Sequence, residues 1–233
     1  AYSKNDADEL ISEIIKDKES SIKSESIFQK KYSFILMLAF LFAAFNQFSG
    51  INAFLYYAPR IFEEGGLGQG AALLNSVGIG LTNVIFTLIG INLIDRLGRR
   101  ILMYIGSIGY IISLTLISLS FVLNWESIFL PIFLFVFIAS HAIGQGAIIW
   151  VYISEIYPNH LRSYGQSFGT STHWVLAAII PSLVPFLFGI IGPGVVFGIF
   201  AFMMILQLLF VHFIMPETKG ISLEVLSKKL IRR

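Results

Sequence analysis

Tyr32 to Ala58 reads YSFILMLAFLFAAFNQFSGINAFLYYA, a run without a single charged side chain. Hydrocarbon offers no partner to backbone N–H and C=O groups, so a chain that crosses a bilayer must bond to itself, as a helix of about 20 mostly apolar residues does. Five further stretches have the same character: Ala72 to Ile94, Ile101 to Leu123, Ile128 to Tyr157, Tyr164 to Ile190 and Gly194 to Met215. Six spanning helices joined by short connections predict an all-α membrane protein whose helices run antiparallel to their neighbours. Composition agrees: 56% of the 233 residues are hydrophobic and 13% are charged, against about 25% charged in a soluble domain. No soluble fold buries that much apolar surface.

The basic residues set an expected orientation. Lys4, Lys16, Lys18, Lys23, Lys30 and Lys31 precede the first span, Arg96, Arg99 and Arg100 lie between the second and third, and Arg162 lies between the fourth and fifth. Lys219, Lys228, Lys229, Arg232 and Arg233 follow the last, which leaves Arg60 alone on the other side. The positive-inside rule then puts both termini in the cytoplasm of a multi-pass cell-membrane protein. An even number of spans requires the same. The chain accordingly divides into a cytoplasmic linker over 1–31, a six-helix bundle over 32–215 and a cytoplasmic tail over 216–233. Within the linker, Leu10, Ile11, Ile14 and Ile15 recur at helical spacing and predict an amphipathic helix over Ala7 to Ser26, resting on the membrane surface or on a partner domain. Leu223, Leu226 and Leu230 repeat the pattern in the tail, whose basic residues suit an anionic leaflet as well as they suit water.

A net charge of +2 gives nucleic acid no footprint, and the absence of Cys removes thiolate catalysis, thiolate–zinc sites and disulfides. Glu155 is the one acidic residue inside an expected span, so neither hydrolytic nor metal-dependent catalysis has its residues, and no cofactor is implied. The polar side chains of the spans are where function is expected, because each is costly in hydrocarbon unless satisfied. Asn46-Gln47-Phe48-Ser49-Gly50-Ile51-Asn52 lies in the first span. Carboxamides carry donors and acceptors in one plane and match adjacent sugar hydroxyls. A helix broken at Gly50 would let Gln47 and Asn52 meet on one ligand, whereas an intact one would use them to bond neighbouring helices. Asn83 shares a helical face with Asn75 and Thr82 in the second span, and Gln145 and Trp150 lie in the fourth. An indole face set among small residues can cover the C–H groups of a pyranose. Trp125, in a connection, fits an interfacial anchor. His141 and His173 fit either a proton relay or neutral hydrogen bonding inside the bundle.

At the cytoplasmic side, Asp95-Arg96-Leu97-Gly98-Arg99-Arg100 joins the second and third spans, and Glu155 and Arg162 flank Pro158 after the fourth. Opposite charges at helix ends form a latch that a substrate can open, or serve only to fix topology.

Taken together these motifs are similar to those of the sugar porter family of the major facilitator superfamily. Asn46 to Asn52 followed by Tyr56-Tyr57-Ala58-Pro59 resembles the QQxSGINxxxYYAP of the family's seventh helix, and Asp95 to Arg100 its D-R-x-G-R-R loop. Trp150, Glu155, Pro158 and Arg162 match the tenth-helix pattern W-x-x-x-x-E-x-x-P-x-x-x-R, and Pro216-Glu217-Thr218-Lys219-Gly220 with Leu223-Glu224 matches PETKGxxLE. The resemblance spans Tyr32 to Glu224. It implies the C-terminal half, helices seven to twelve, of a transporter that moves a monosaccharide, hexose or pentose, by alternating access as uniporter or proton symporter; a sugar sensor built on the same fold is the alternative, against which the short tail argues. It further implies that Gln47, Asn52, Asn83 and Trp150 contact sugar, with Asn46 and Gln145 beside them, that Tyr56 and Tyr57 form an extracellular gate, and that Asp95, Arg96, Arg99, Glu155 and Arg162 form a cytoplasmic charge network. The implied partners are the sugar, membrane lipid and an N-terminal six-helix half, expected from a longer polypeptide or a second chain. Departures from the pattern are Asn46 for the first Gln, Gln145, Ala147 and Ile149 for the tenth-helix prolines, Ala177 where an Asn often stands, and His173-Trp174 for Gln-Trp or Asn-Trp.

Overall fold

The computed structural model describes Ser12, residues 26–126 and residues 128–231. The helix expected over Ala7 to Ser26 thus lies almost wholly outside the described residues. Among the described residues, six helical units are long and apolar enough to span a membrane: Lys30–Glu64, Gln69–Leu97, Arg99–Val122, Phe129–Glu155, Asn159–Ile191 and Pro193–Phe213. Each coincides with one of the expected stretches; the first, second and fifth extend beyond them at both ends, whereas Phe129–Glu155 stops short of Ile128 and Tyr157.

Two of the six units are broken, and the breaks have local causes. The first consists of α1 (Ser33–Phe48) and α2 (Ile51–Glu64), separated at Gly50, whose backbone is left-handed at φ +80°. Only glycine enters that region without a Cβ penalty, and a Cβ there would also lie 2.6 Å from the ring of Phe200. The Ser49 hydroxyl closes the turn, donating to the Asn46 carbonyl at 2.6 Å and accepting from the Ile51 N–H at 3.3 Å. Farther on, α2 kinks at Tyr57 (φ −112°, ψ 15°), two residues before Pro59. A proline inside a helix removes one bond and crowds the preceding turn.

α3 (Gln69–Leu97) and α4 (Arg99–Val122) are continuous, as are α7 (Arg162–Ile191) and α8 (Pro193–Phe213). The fourth unit is α5 (Phe129–His141), a π-helical turn at Ala142–Gly146 and α6 (Ala147–Glu155). With fewer prolines than the resemblance leads one to expect, the bend here comes instead from Gly144, whose ψ of −105° leaves the helical region. A π turn inserts one residue and shifts the helix face. It also allows close approach: a Cβ on Gly106 of α4 would lie 2.9 Å from the Gly144 Cα, so the two backbones cross with nothing between them.

α4 packs along α8, α1 along α7, and α3 against α2 and α5. Phe42, Phe54, Tyr110, Phe137, Tyr152 and Phe197 fill the core. The lengths of α3 and α7 stay largely uncovered, and they expose Leu74, Val77, Leu81, Leu183 and Phe186. Such faces are stable against lipid or another apolar bundle and not against water. The tail is not a plain solvated segment: α9 (Leu223–Ile231) buries Leu226 and Leu230, each 1% exposed, and packs against α1 and the 3₁₀ turn Lys30–Tyr32.

Candidate functional site

The break at Gly50 brings the carboxamides together. Asn52 Nδ2 donates to Gln47 Oε1 at 3.0 Å, and Gln47 Nε2 donates to Asn46 Oδ1 at 3.0 Å. In one unbroken helix the first pair, five residues apart, would point away from each other. Gln47 Nε2 also lies 3.2 Å from both ring nitrogens of His173 on α7. The imidazole in turn sits 5.0 Å from the Trp150 ring and 5.1 Å from that of Trp174, nearly perpendicular to the latter. Three carboxamides, one imidazole and two indoles from α1, α2, α6 and α7 therefore form one cluster. Its members differ in access: Asn46 and Gln47 are buried, Asn52 is partly buried, and Trp150 is 41% exposed. Asn83 is half-buried on α3, which packs on α2 and on the π turn, and it makes no hydrogen bond among the described residues.

Gln145 belongs to a different group. Its Nε2 donates to Gln207 Oε1 at 2.5 Å, and Gln207 Nε2 donates to Ser107 Oγ at 2.7 Å, which ties the π turn to α8 and α4. Gln145 Oε1 is buried without a partner among the described residues. His141 bonds through Nδ1 to the Tyr110 hydroxyl. Tyr56 is exposed and Tyr57, at the kink in α2, is half-buried.

At the end that carries most of the basic residues, Arg99 is the hub. Its Nε and Nη2 grip the Glu155 carboxylate at 3.1 and 2.7 Å, and Nη1 reaches Asp95 Oδ1 at 3.1 Å and the Ile94 carbonyl at 3.2 Å. The Thr218 hydroxyl donates to Glu155 Oε2 at 2.6 Å. Glu217 caps the start of α4. Its oxygens accept the backbone N–H groups of Arg99 at 3.0 Å, Arg100 at 2.9 Å, Thr218 at 2.9 Å and Lys219 at 3.0 Å. A carboxylate at a helix N-terminus satisfies orphan donors and faces the positive end of the dipole. Burial pushes the Glu217 carboxyl up, but the bonds from Lys219, Arg100, Arg99 and Thr218 outweigh it and hold it below the usual carboxylate range. Arg100 bonds the Val211 carbonyl at 3.0 Å and the His212 carbonyl, and Lys219 Nζ reaches the Arg96 carbonyl at 2.5 Å.

Arg162 stands outside this network. Its guanidinium bonds Asn159 Oδ1, and its Nε is buried without a partner among the described residues. Arg96 contributes its carbonyl, and its side chain is in no ion pair with a described carboxylate. The expected five-residue network is therefore, in geometry, Asp95, Arg99 and Glu155 with Thr218 and Glu217 added. The sequence held a signal for the two additions, since a carboxylate followed by a hydroxyl stands just after the last span; nothing local tied Glu217 to the start of α4 or Thr218 to Glu155.

Residues 2–230 match the sequence profile described as sugar (and other) transporter. The chain belongs to that transporter family. Among its relatives, the arabinose-proton symporter of Bacillus subtilis is 38% identical over 94% of this chain and 49% of its own length. The glucose transporter GlcP of Staphylococcus epidermidis is 34% identical over 85% of this chain and 45% of its own length. Among solved structures, a double-tryptophan mutant of XylE superposes with a TM-score of 0.87 at 26% identity over 96% of this chain and 48% of that one. The proton:xylose symporter XylE bound to 6-bromo-6-deoxy-D-glucose superposes with a TM-score of 0.80 at 26% identity over 95% and 49%. This transporter chain thus has the all-helical fold of one half of a major facilitator superfamily protein, and it spans about half the length of the relatives it matches.

Proposed function

We propose that this chain is the C-terminal half of a secondary transporter that moves a monosaccharide, hexose or pentose, across the cell membrane by alternating access. The observation that carries the reading is the meeting of Asn52, Gln47 and Asn46 across the broken helix, beside Trp150 and His173. A pyranose displays hydroxyls around its rim and C–H groups on its faces, and carboxamides with an indole answer both. Broken helices at midplane sites are a recurring way for transporters to free backbone and side chains for substrate. In this reading Gln47, Asn52, Asn83 and Trp150 hold the sugar, with Asn46 orienting Gln47. Gln145 acts at one remove, by fixing the π turn that carries Trp150. Tyr56 and Tyr57 close the outer end, and the Arg99 network holds the inner end. The N-terminal six-helix half completes the cavity. Arabinose, glucose and xylose are the probes that the relatives' names suggest.

The test uses a complete transporter containing this half, reconstituted in liposomes. Saturable uptake of at least one of those three sugars is expected, and its response to an imposed pH gradient separates uniport from proton symport. Absence of uptake and of binding for all three would refute the reading.

The proposed orientation, with both termini in the cytoplasm, rests on the partition of basic residues and has its own test. Gly68 lies between α2 and α3 with nothing near its missing Cβ, and Lys228 is exposed on α9. In a chain without native Cys, Gly68→Cys is expected to react with an impermeant thiol reagent from outside and Lys228→Cys only from inside. Labelling of both from one side would overturn the orientation.

A further inference from the structure

Where α4 gives way to α5, an open cavity of about 700 Å³ is lined by Leu116, Asn124, Trp125, Glu126, Phe129 and Phe133. That volume is in the range of sites that hold small molecules. Backbone bonds in the connection set its wall. The Leu123 N–H donates to the Leu119 carbonyl at 2.8 Å, the Trp125 N–H to the Ser120 carbonyl at 3.0 Å and the Phe129 N–H to the Glu126 carbonyl at 3.1 Å. Asn124, among them, is left-handed at φ +51°, a conformation that asparagine enters more readily than other residues with a side chain. Trp125 lies 6.1 Å from Phe133 at 62°, and Phe129 stacks 6.4 Å from Phe133 one helical turn away. Three rings and a carboxylate are thus in place before any ligand arrives.

The charges at this end of the bundle do not balance. Gly65, Trp125 and Glu126 line one smaller cavity, so the α2–α3 and α4–α5 connections meet here. Glu63, Glu64 and Glu126 share the end with one described cation, Arg60, whose Nε bonds Glu64 at 2.8 Å. Glu126 is exposed and in no ion pair with a described cation. Neither the Asn124 carboxamide nor the Trp125 indole N–H bonds a described residue.

We propose that this cavity binds the ammonium headgroup of a membrane phospholipid, of the ethanolamine or choline class, whose acyl chains lie along α4 and α5. Ring faces attract a cation within about 6 Å, and the Glu126 carboxylate adds the complementary charge. The Asn124 carboxamide and the indole N–H supply neutral donors for the phosphate that every such headgroup carries. Beyond the rim the surface continues in apolar stripes: Ile108, Ile112 and Leu119 on α4, and Ile132 and Val136 on α5, are exposed. Spacings of four and seven residues keep each set on one helix face, so chains leaving the cavity meet apolar surface. A cation without chains finds the head of this site and not the stripes, and a headgroup without an ammonium finds an unanswered carboxylate. α4 and α5 belong to membrane-spanning units, and in the proposed orientation the cavity opens toward the outer leaflet. An interfacial anchor needs only the Trp125 ring and gives no preference among headgroups.

Native mass spectrometry of the complete transporter, titrated with phosphatidylethanolamine, phosphatidylcholine and phosphatidylglycerol of identical chains, reads that preference. Both ammonium lipids are expected to bind one site about fivefold more tightly than the glycerol lipid. Glu126→Gln and Trp125→Leu are each expected to remove the preference and Trp125→Phe to keep most of it. Glu63→Gln, at an exposed carboxylate outside the cavity, is expected to leave it whole. Trp125 and Glu126 are exposed, so their substitution leaves the packed core alone. Equal affinity for the three headgroups, as when the N-terminal half fills the cavity, overturns the proposal. So does a preference that survives either Glu126→Gln or Trp125→Leu, and Trp125 is then an interfacial anchor only.

Discussion

Replacing Arg99 by alanine is expected to destabilise the folded transporter by about 3 kcal/mol or more, the usual cost of removing one partner from a buried ion pair. The Arg99 side chain is 9% exposed and that of Glu155 19% exposed, so the carboxylate left behind keeps little water. It keeps one hydrogen bond, from Thr218. Two charge-assisted bonds to Glu155 and one to the Ile94 carbonyl are lost together, and with them the tie between the start of α4 and the end of α6. Asp95→Asn supplies the comparison, because the Asp95 side chain is 83% exposed and its bond to Arg99 is a surface pair worth less than about 1 kcal/mol. Unfolding midpoints of the two variants in detergent, measured on the complete transporter, rank them. Equal midpoints would contradict the account of Arg99 as the hub.

In the proposed function the same network also bears on transport. Every bond in it joins elements of this half, so as a latch it would fix the start of α4 and the end of α6 relative to the segment after α8. Glu155→Gln keeps the size and removes the charge. In the latch reading it lowers transport rate more than sugar affinity, since the carboxamide cluster is made of other residues. Equal losses of both would leave Glu155 a purely structural role.

The spans were legible because hydrocarbon imposes a length and a composition that any reader can count. The break at Gly50 was legible as one of two readings, since a glycine between Ser49 and Ile51 weakens a helix where the chain can least spare its bonds, and the meeting of Gln47 with Asn52 follows from the break. What lay beyond reach was pairing across helices. Nothing near Gln47 says that His173, in another helix, will cover it, or that Gln145 will spend its amide on Gln207 instead. The one pointer to His173 was its place in the motif, where an imidazole stands for a carboxamide. The π turn was hidden for a different reason: glycines at 144 and 146 permit it without requiring it, and the close crossing with Gly106 that selects it comes from α4. Arg162 shows the opposite failure, a residue whose motif position suggested an ion pair and whose guanidinium instead bonds Asn159 in the adjacent turn.

Removing the carboxamides is expected to have the largest effect on the sugar. Gln47→Ala and Asn52→Ala should each cost roughly 1 to 3 kcal/mol in binding, about tenfold to a hundredfold in affinity, where the lost group met a buried hydroxyl. Because the two side chains bond to each other, the double variant should lose less than the sum of the singles. Trp150→Ala should weaken binding to many pyranoses alike, since an indole face reads ring surface rather than a particular hydroxyl. The decisive measurement is the affinity of the complete transporter, wild type and Gln47→Ala/Asn52→Ala, for its sugar and for that sugar lacking one hydroxyl at a time. If these carboxamides hold the substrate, wild type loses affinity for particular deoxy analogues and the double variant no longer distinguishes them from the parent sugar. Unchanged affinities across the whole series in the double variant would contradict it and leave Gln47 and Asn52 as residues that merely pack helices.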